Sequence, residues 1–181
     1  LKKQIDLIVN WMRVGFIHGV MNTDNMTISG ETLDYGPCAF MDTYDKNTVF
    51  SSIDHNGRYC YINQPVIAHW NLVRLAEVLL LLSQDDKKKS INIFQETINS
   101  FSSIYKEAWL NMMRKKLGLF SAEAKDESLI KDFLDLMEKN KLDFTNTFCF
   151  LMDSSFVKNE SFNNSSFLNW YDLWQKRLEK N

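Results

Sequence analysis

Apolar positions repeat with a helical period through most of this chain and lose it in one long stretch near the start. Ile5, Ile8, Trp11 and Met12 share one face of a 3.6-residue repeat, which predicts an amphipathic helix over residues 1–17 closing near Gly15. Pro65, whose fixed φ suits a first helical turn, opens a second helix expected to run to about Ser83. Apolar residues lie on almost every side of it, so it reads as buried. Further helices are expected over residues 89–117, 126–139, 144–153 and 166–179. Their core positions are Phe94, Ile104, Trp109 and Met113, then Leu129, Phe133 and Met137, then Phe148, Leu151, Trp170 and Trp174. Gly118 and Asn140 stand where left-handed C-caps belong.

Between the first two helices the pattern changes. The run "HGVMNTDN" (residues 18–25) reads as a loop. Residues 26–29 and 32–34 read as two short strands about Gly30-Glu31, with Gly at the turn position a type II′ hairpin favours. In that register Thr27 faces Asp34 and Asn25 shares Asp34's face. An amide oxygen and a carboxylate then meet at the open end of the hairpin, beside Asp24, and a one-residue slip would part them. Residues 38–64 have no period, are rich in Asp, Asn, Ser and Tyr, and read as a long ordered loop of the kind that more often carries function. Residues 158–166 read as a mobile loop.

Composition narrows the function classes. The 181 residues make about one domain's length. Because Leu1 is not an initiator Met and the first residues already read as mid-helix, further sequence upstream is expected. A net charge of −2 gives no basic surface for phosphate neutralisation, so nucleic acid is not an expected partner. Lys87, Lys88 and Lys89 read as a solvated helix start. Cys38, Cys60 and Cys149 are odd in number with no CxxC pair, so they read as reduced thiols rather than a disulfide or zinc framework. The most apolar stretch, residues 66–82, is interrupted by His69, Asn71, Arg74 and Glu77 and reads as too polar for a bilayer. No membrane partner and an intracellular location are the resulting expectations.

The chemistry sits in the aperiodic stretch. A hard divalent ion takes oxygen ligands, often one or two protein carboxylates together with nucleotide phosphates. Asn25 and Asp34 offer one amide oxygen and one carboxylate, and Asp24 remains to accept a proton, which are parts that phosphoryl-type transfer uses. The same residues also fit a plain Asx-rich turn and cap. The spacing from His18 to Asn25 is that of the protein-kinase pattern H-R-D-x-x-x-x-N, and Asp34-Tyr35-Gly36 stands where D-F-G would. Val20 occupies the position of the kinase catalytic Asp.

The stretches "GFIHGVMNTDNMTISGETLDYGPCAFMDTYD", "DHNGRY" and "NQPVIAHWNLVRLAEVL" closely resemble the selenoprotein O (SelO/YdiU) family of kinase-like protein adenylyltransferases, densely over residues 13–80 and sparsely to about 150. The resemblance implies a mainly α fold, the C-lobe of a protein-kinase-like domain across 1–181, with a short β-hairpin carrying the metal site. It implies Asp24 as the catalytic base and Asn25 and Asp34 as ligands of Mg²⁺ or Mn²⁺ and so of ATP. AMP would pass from ATP to Ser, Thr or Tyr hydroxyls of protein substrates, with pyrophosphate released. No glycine-rich loop, strand-borne Lys or partner Glu precedes the catalytic loop, so the N-lobe is an expected partner and this chain in isolation is expected to be inactive. Phe50 stands where many relatives carry a Cys, and the family's C-terminal selenocysteine has no counterpart here. The family implies bacterial cytoplasm or mitochondria. A protein kinase transferring the γ-phosphate and a non-catalytic helical interaction domain are the alternatives. His18 is expected to support the loop rather than move protons, His55 and His69 to be structural, Arg58-Tyr59 to anchor a loop or touch phosphate, and Trp70 to fill core.

Overall fold

A computed structural model describes residues 1–83, 87–152 and 164–180. Helix α1 (Lys2–Val14) ends at Gly15, in the left-handed conformation expected of it, and turns into strand β1 (Phe16–Ile17). The aperiodic stretch follows, with a 3₁₀ turn at Thr23–Asn25 and strand β2 (Ala39–Phe40). A second 3₁₀ turn (Tyr61–Asn63) leads into α2 (Gln64–Leu82). The remainder is helical: α3 (Lys87–Asn99), α4 (Phe101–Lys116), α5 (Asp126–Lys139), α6 (Phe144–Phe150) and α7 (Ser165–Leu178). The mainly α expectation holds. The long helix expected over 89–117 is two helices meeting at Ser100, whose hydroxyl donates to Thr97 O instead of capping α4.

No hairpin forms at residues 26–34. The sheet is β1 paired antiparallel with β2, Phe16 opposite Phe40 and Ile17 opposite Ala39. Residues 26–34 lie along α1 instead. Gln4 Nε2 donates to Thr27 O, Trp11 Nε1 donates to Thr32 Oγ1 at 2.8 Å, and Gly30 passes so close that a Cβ there would stand 2.7 Å from Lys3 Cβ. The turn is made two residues earlier than expected, with Gly30 N–H donating to Thr27 O at 3.2 Å and Ile28-Ser29 at its centre. Helix side chains thus take the place of the expected ladder bonds.

The core is one aromatic-rich cluster. Phe133, stacked on Trp170 with centroids 4.2 Å apart, Phe144 and Phe167 are almost fully buried in it. The buried tryptophans satisfy their N–H groups on backbone: Trp170 donates to Leu129 O and Trp174 to Leu117 O. Asp126, fully buried, accepts from Arg114 Nε on α4 and Arg177 Nε on α7, both at 2.7 Å. Burial pushes its carboxyl up, but bonds from Arg177, the Glu123 amide and Arg114 outweigh that and hold it below the usual carboxylate range.

Four further expectations need correcting. Gly118 is left-handed as expected, but at the end of α5 the positive φ falls on Lys141 rather than Asn140, whose amide side chain donates to Leu136 O. Phe94, Ile104 and Trp109 are only partly buried, since one side of α3 and α4 faces outward. Helix α2 is buried in its first half only; Val78, Leu81 and Leu82 are exposed. By length and composition residues 61–82 do reach the threshold for crossing a bilayer, contrary to the sequence reading, yet Gln64 and Asn71 at its buried end are hydrogen-bonded into the fold. Lys87 to Lys89 form the exposed first turn of α3, and the three cysteines are free. Residues 158–163 of the loop expected at 158–166 lie outside the described residues.

Candidate functional site

Residues 18–37 have little regular structure, so side chains must hold them. His18 is 1% exposed and sits at the centre. Its Nε2 lies 2.8 Å from Leu33 O, and the Val20 N–H points at its Nδ1 from 3.4 Å. An amide N–H can only donate, so Nδ1 accepts and Nε2 carries the proton given to Leu33 O. One neutral imidazole therefore ties the segment bearing Asp24 and Asn25 to the segment bearing Asp34. The supporting role expected for His18 is what the geometry gives it. Gly19 seals the same junction: at φ 86° it packs on Pro37, and a Cβ would stand 3.0 Å from the Pro37 ring.

Two amides of α2 complete the frame. Gln64, fully buried, accepts from His18 N at 3.0 Å and donates to Phe16 O at 2.9 Å, binding strand and loop together. Asn71 donates to Met21 O at 2.9 Å. Neither was singled out from the sequence, although an Asn in the middle of an otherwise apolar helix signals a buried hydrogen-bonding duty. From the long loop, Tyr59 donates its hydroxyl to Asn22 Oδ1. Arg58 and Tyr59 are themselves fixed by the Asp54 carboxylate, which accepts both their N–H groups at 2.8 Å. The Arg58 guanidinium lies 5.1 Å from the Trp70 ring centroid and that of Arg74 lies 5.2 Å away. Trp70 is 41% exposed and is not core, contrary to expectation.

The three candidate residues occupy this frame as follows. Asp24 stands exposed in the 3₁₀ turn. Asn25 donates Nδ2 to Val20 O at 3.1 Å, which fixes the amide and leaves Oδ1 as its outward acceptor. Asp34 is exposed and held at φ 56°, the left-handed region that Asp tolerates better than most residues, with Gly36 N–H donating to its carbonyl at 2.8 Å. Among the described residues, no hydrogen bond or ion pair engages the carboxylate of Asp24 or Asp34, and none joins the three side chains to each other. The segments that bear them are tied together by His18 and by the packing of Gly19 on Pro37, rather than by a hairpin ladder.

An amide oxygen and unpaired carboxylates are donors that suit a hard divalent cation. Among the described residues no cluster of three or more His, Cys, Asp or Glu could hold a metal alone. An ion here would need further oxygens from phosphate or water, as Mg²⁺ bound with a nucleotide does.

Comparison with known proteins identifies the family to which a chain with this loop belongs. The sequence matches the family described as "Protein adenylyltransferase SelO" over residues 1–181, and the chain belongs to that family. Its curated relatives include the protein nucleotidyltransferase YdiU of Nitrosococcus oceani, 54% identical over 98% of this chain, and that of Clostridium perfringens, 55% identical over 99%. The YdiU protein of Bacillus cereus is 56% identical over 99%. The chain spans 36–37% of the length of these relatives.

Proposed function

We propose that this chain is the C-lobe portion of a kinase-like protein adenylyltransferase and supplies its acid–base and metal-binding residues. Family membership supports nucleotidyl transfer, and the observation that carries the residue assignment is the fixed amide of Asn25, turned outward beside an unpaired Asp24. In this reading Asp24 accepts the proton of a Ser, Thr or Tyr hydroxyl on a protein substrate as its oxygen attacks the α-phosphorus of ATP. The new P–O bond forms as the bond from the α-phosphorus to the bridging oxygen breaks, and pyrophosphate leaves. Asn25 and Asp34 would hold Mg²⁺ or Mn²⁺, which when bound offsets phosphate charge. Val20, at the position where a kinase carries its catalytic Asp, leaves Asp24 as the carboxylate beside Asn25. Positioning accounts for most of the rate in such chemistry, so useful turnover requires the rest of the polypeptide.

The test carries the segment in a chain of the relatives' length, with divalent metal and ATP labelled on the α- or the γ-phosphate. Protein should retain label from α-labelled ATP, and Asp24→Ala should lower that by about 10²- to 10⁴-fold with ATP binding kept. Asp34→Ala should lose metal-dependent nucleotide binding as well. Label retained only from the γ-phosphate would make the protein a kinase, and no label from either would make it an interaction domain.

A further inference from the structure

Three tyrosines line one cavity of about 570 Å³, set between α2, α4, α5 and the loop that carries Tyr44. Tyr61 uses its hydroxyl, which donates to Met12 O at 2.7 Å. Tyr44 and Tyr105 do not use theirs. Among the described residues no hydrogen bond engages either of these two hydroxyls, and both oxygens are open to a molecule the size of water. Tyr44 is only 5% exposed, with its ring packed on Tyr61 and stacked on Phe144, so the hydroxyl is the end left to face the cavity. Burial pushes both phenols well above the ordinary tyrosine range, helped at Tyr44 by the charges of Glu138, Asp135 and Asp45. Both therefore keep their protons and can donate. A polar side chain held as deep as Tyr44 without a partner is uncommon.

The walls describe the occupant. Besides the three tyrosines, His69, Phe101 and Trp109 line the cavity with rings. Phe101 stacks on His69 with centroids 4.9 Å apart and lies parallel to Tyr105 at 6.0 Å. His69 offers a ring face only, because its Nε2 is shut away from solvent. Aromatic walls favour an aromatic ligand, which can pack offset or edge-on against them. The charges at the rim balance: Lys46 is paired with Glu138 at 3.0 Å, and Lys131 and Asp135 stand one turn apart on α5. With one cation for each anion the rim selects neither sign, and an ion would lose its hydration against apolar walls. Two O–H donors ask for an acceptor, a carbonyl oxygen or a ring nitrogen. The volume falls within the roughly 300–1,000 Å³ of small-molecule sites.

We propose that this cavity binds an uncharged aromatic small molecule whose carbonyl oxygen or ring nitrogen accepts hydrogen bonds from Tyr44 and Tyr105. The site is separate from the one described above, since Asp24, Asn25 and Asp34 take no part in lining it. Its ligand is not ATP, whose phosphates carry charge that these walls do not match. The inference rests on the cavity's own geometry and not on adenylyl transfer.

The experiment titrates benzamide into a chain of the relatives' length carrying this segment, with isotope-labelled methionine methyl groups read by NMR. The signals of Met12 and Met113, which line the cavity, should shift, and that of Met21 beside the site loop should stay in place. Benzoate and benzylamine, of the same size but charged, should bind about tenfold or more weakly. Tyr44→Phe and Tyr105→Phe should each weaken benzamide by about three- to tenfold and leave ethylbenzene, which has no acceptor, unchanged. Because neither hydroxyl is bonded in the free protein, both variants should keep their Tm within about 1 °C, so a loss of binding is not a loss of fold. Equal benzamide affinity in wild type and both Phe variants would overturn the proposal. Benzoate binding as tightly as benzamide would overturn the uncharged class. No shift with any of the four compounds would mean that the rest of the polypeptide or firmly held water fills the cavity, and would overturn it as well. No readout involves nucleotide, so a failure of the enzymatic reading leaves these outcomes intact.

Discussion

Around Phe133 the neighbours are aromatic and aliphatic, whereas around Asp24 the chain is held by single hydrogen bonds from His18, Gln64 and Asn71. The helical region built from α4 to α7 draws its stability from area removed from water, which tolerates modest changes of shape. Beyond Met21 and the partly buried Met26 and Cys38, the site loop has little such area to draw on. Each of its bonds fixes a position, and removing one partner leaves a buried group unmatched. The helical region should therefore fail as a whole and the site should fail locally.

The strongest challenge to that contrast is Phe133→Ala, which should cost about 3–5 kcal/mol of unfolding free energy, read from denaturant melts. The mutant should show one cooperative transition at lower denaturant, not a site lost ahead of the rest. Next comes Asp126→Asn, expected to cost about 3 kcal/mol because it leaves Arg114 and Arg177 without their shared charge. It also sharpens the pH dependence. A carboxyl held below its ordinary value in the folded state contributes fully above about pH 4 and loses that contribution as pH falls through the folded value. Wild type should therefore lose more stability on acidification than Asp126→Asn, in melts at pH 7 and pH 3. The smallest global effect should come from Gln64→Leu, at about 1–3 kcal/mol. Its signature should be uneven: hydrogen exchange at residues 16–20 should quicken by more than the global loss of stability gives in α5 and α7. A Gln64→Leu protein that loosened equally everywhere would erase the distinction between the two regions.

The same division explains what could be read in advance. Helices α1, α5 and α7 were legible because their apolar residues recur at the helical period, and Gly15 and Gly118 mark the ends of α1 and α4 with a left-handed residue. The family was legible through the spacing from His18 and the resemblance it brought, and the roles proposed for Asp24, Asn25 and Asp34 rest on that resemblance. The hairpin was misread because strand pattern and turn chemistry are local signals, and the competition that displaced it came from Gln4 and Trp11, more than twenty residues away. The exposed half of α2 was misread for a related reason. A run that is apolar on all sides states that something covers it and not what.

The indole of Trp70 has an optical consequence. Trp11, Trp170 and Trp174 are buried and Trp109 is partly buried, while Trp70 is the most exposed of the five and lies between the guanidinium groups of Arg58 and Arg74, with Arg58 leading directly to Tyr59 and Asn22. A water-soluble quencher should reach this chromophore ahead of the other four. Helix α2 thus sets a fluorescent reporter against the loop through Arg58, and its dimming should follow the motion of that loop without any label attached.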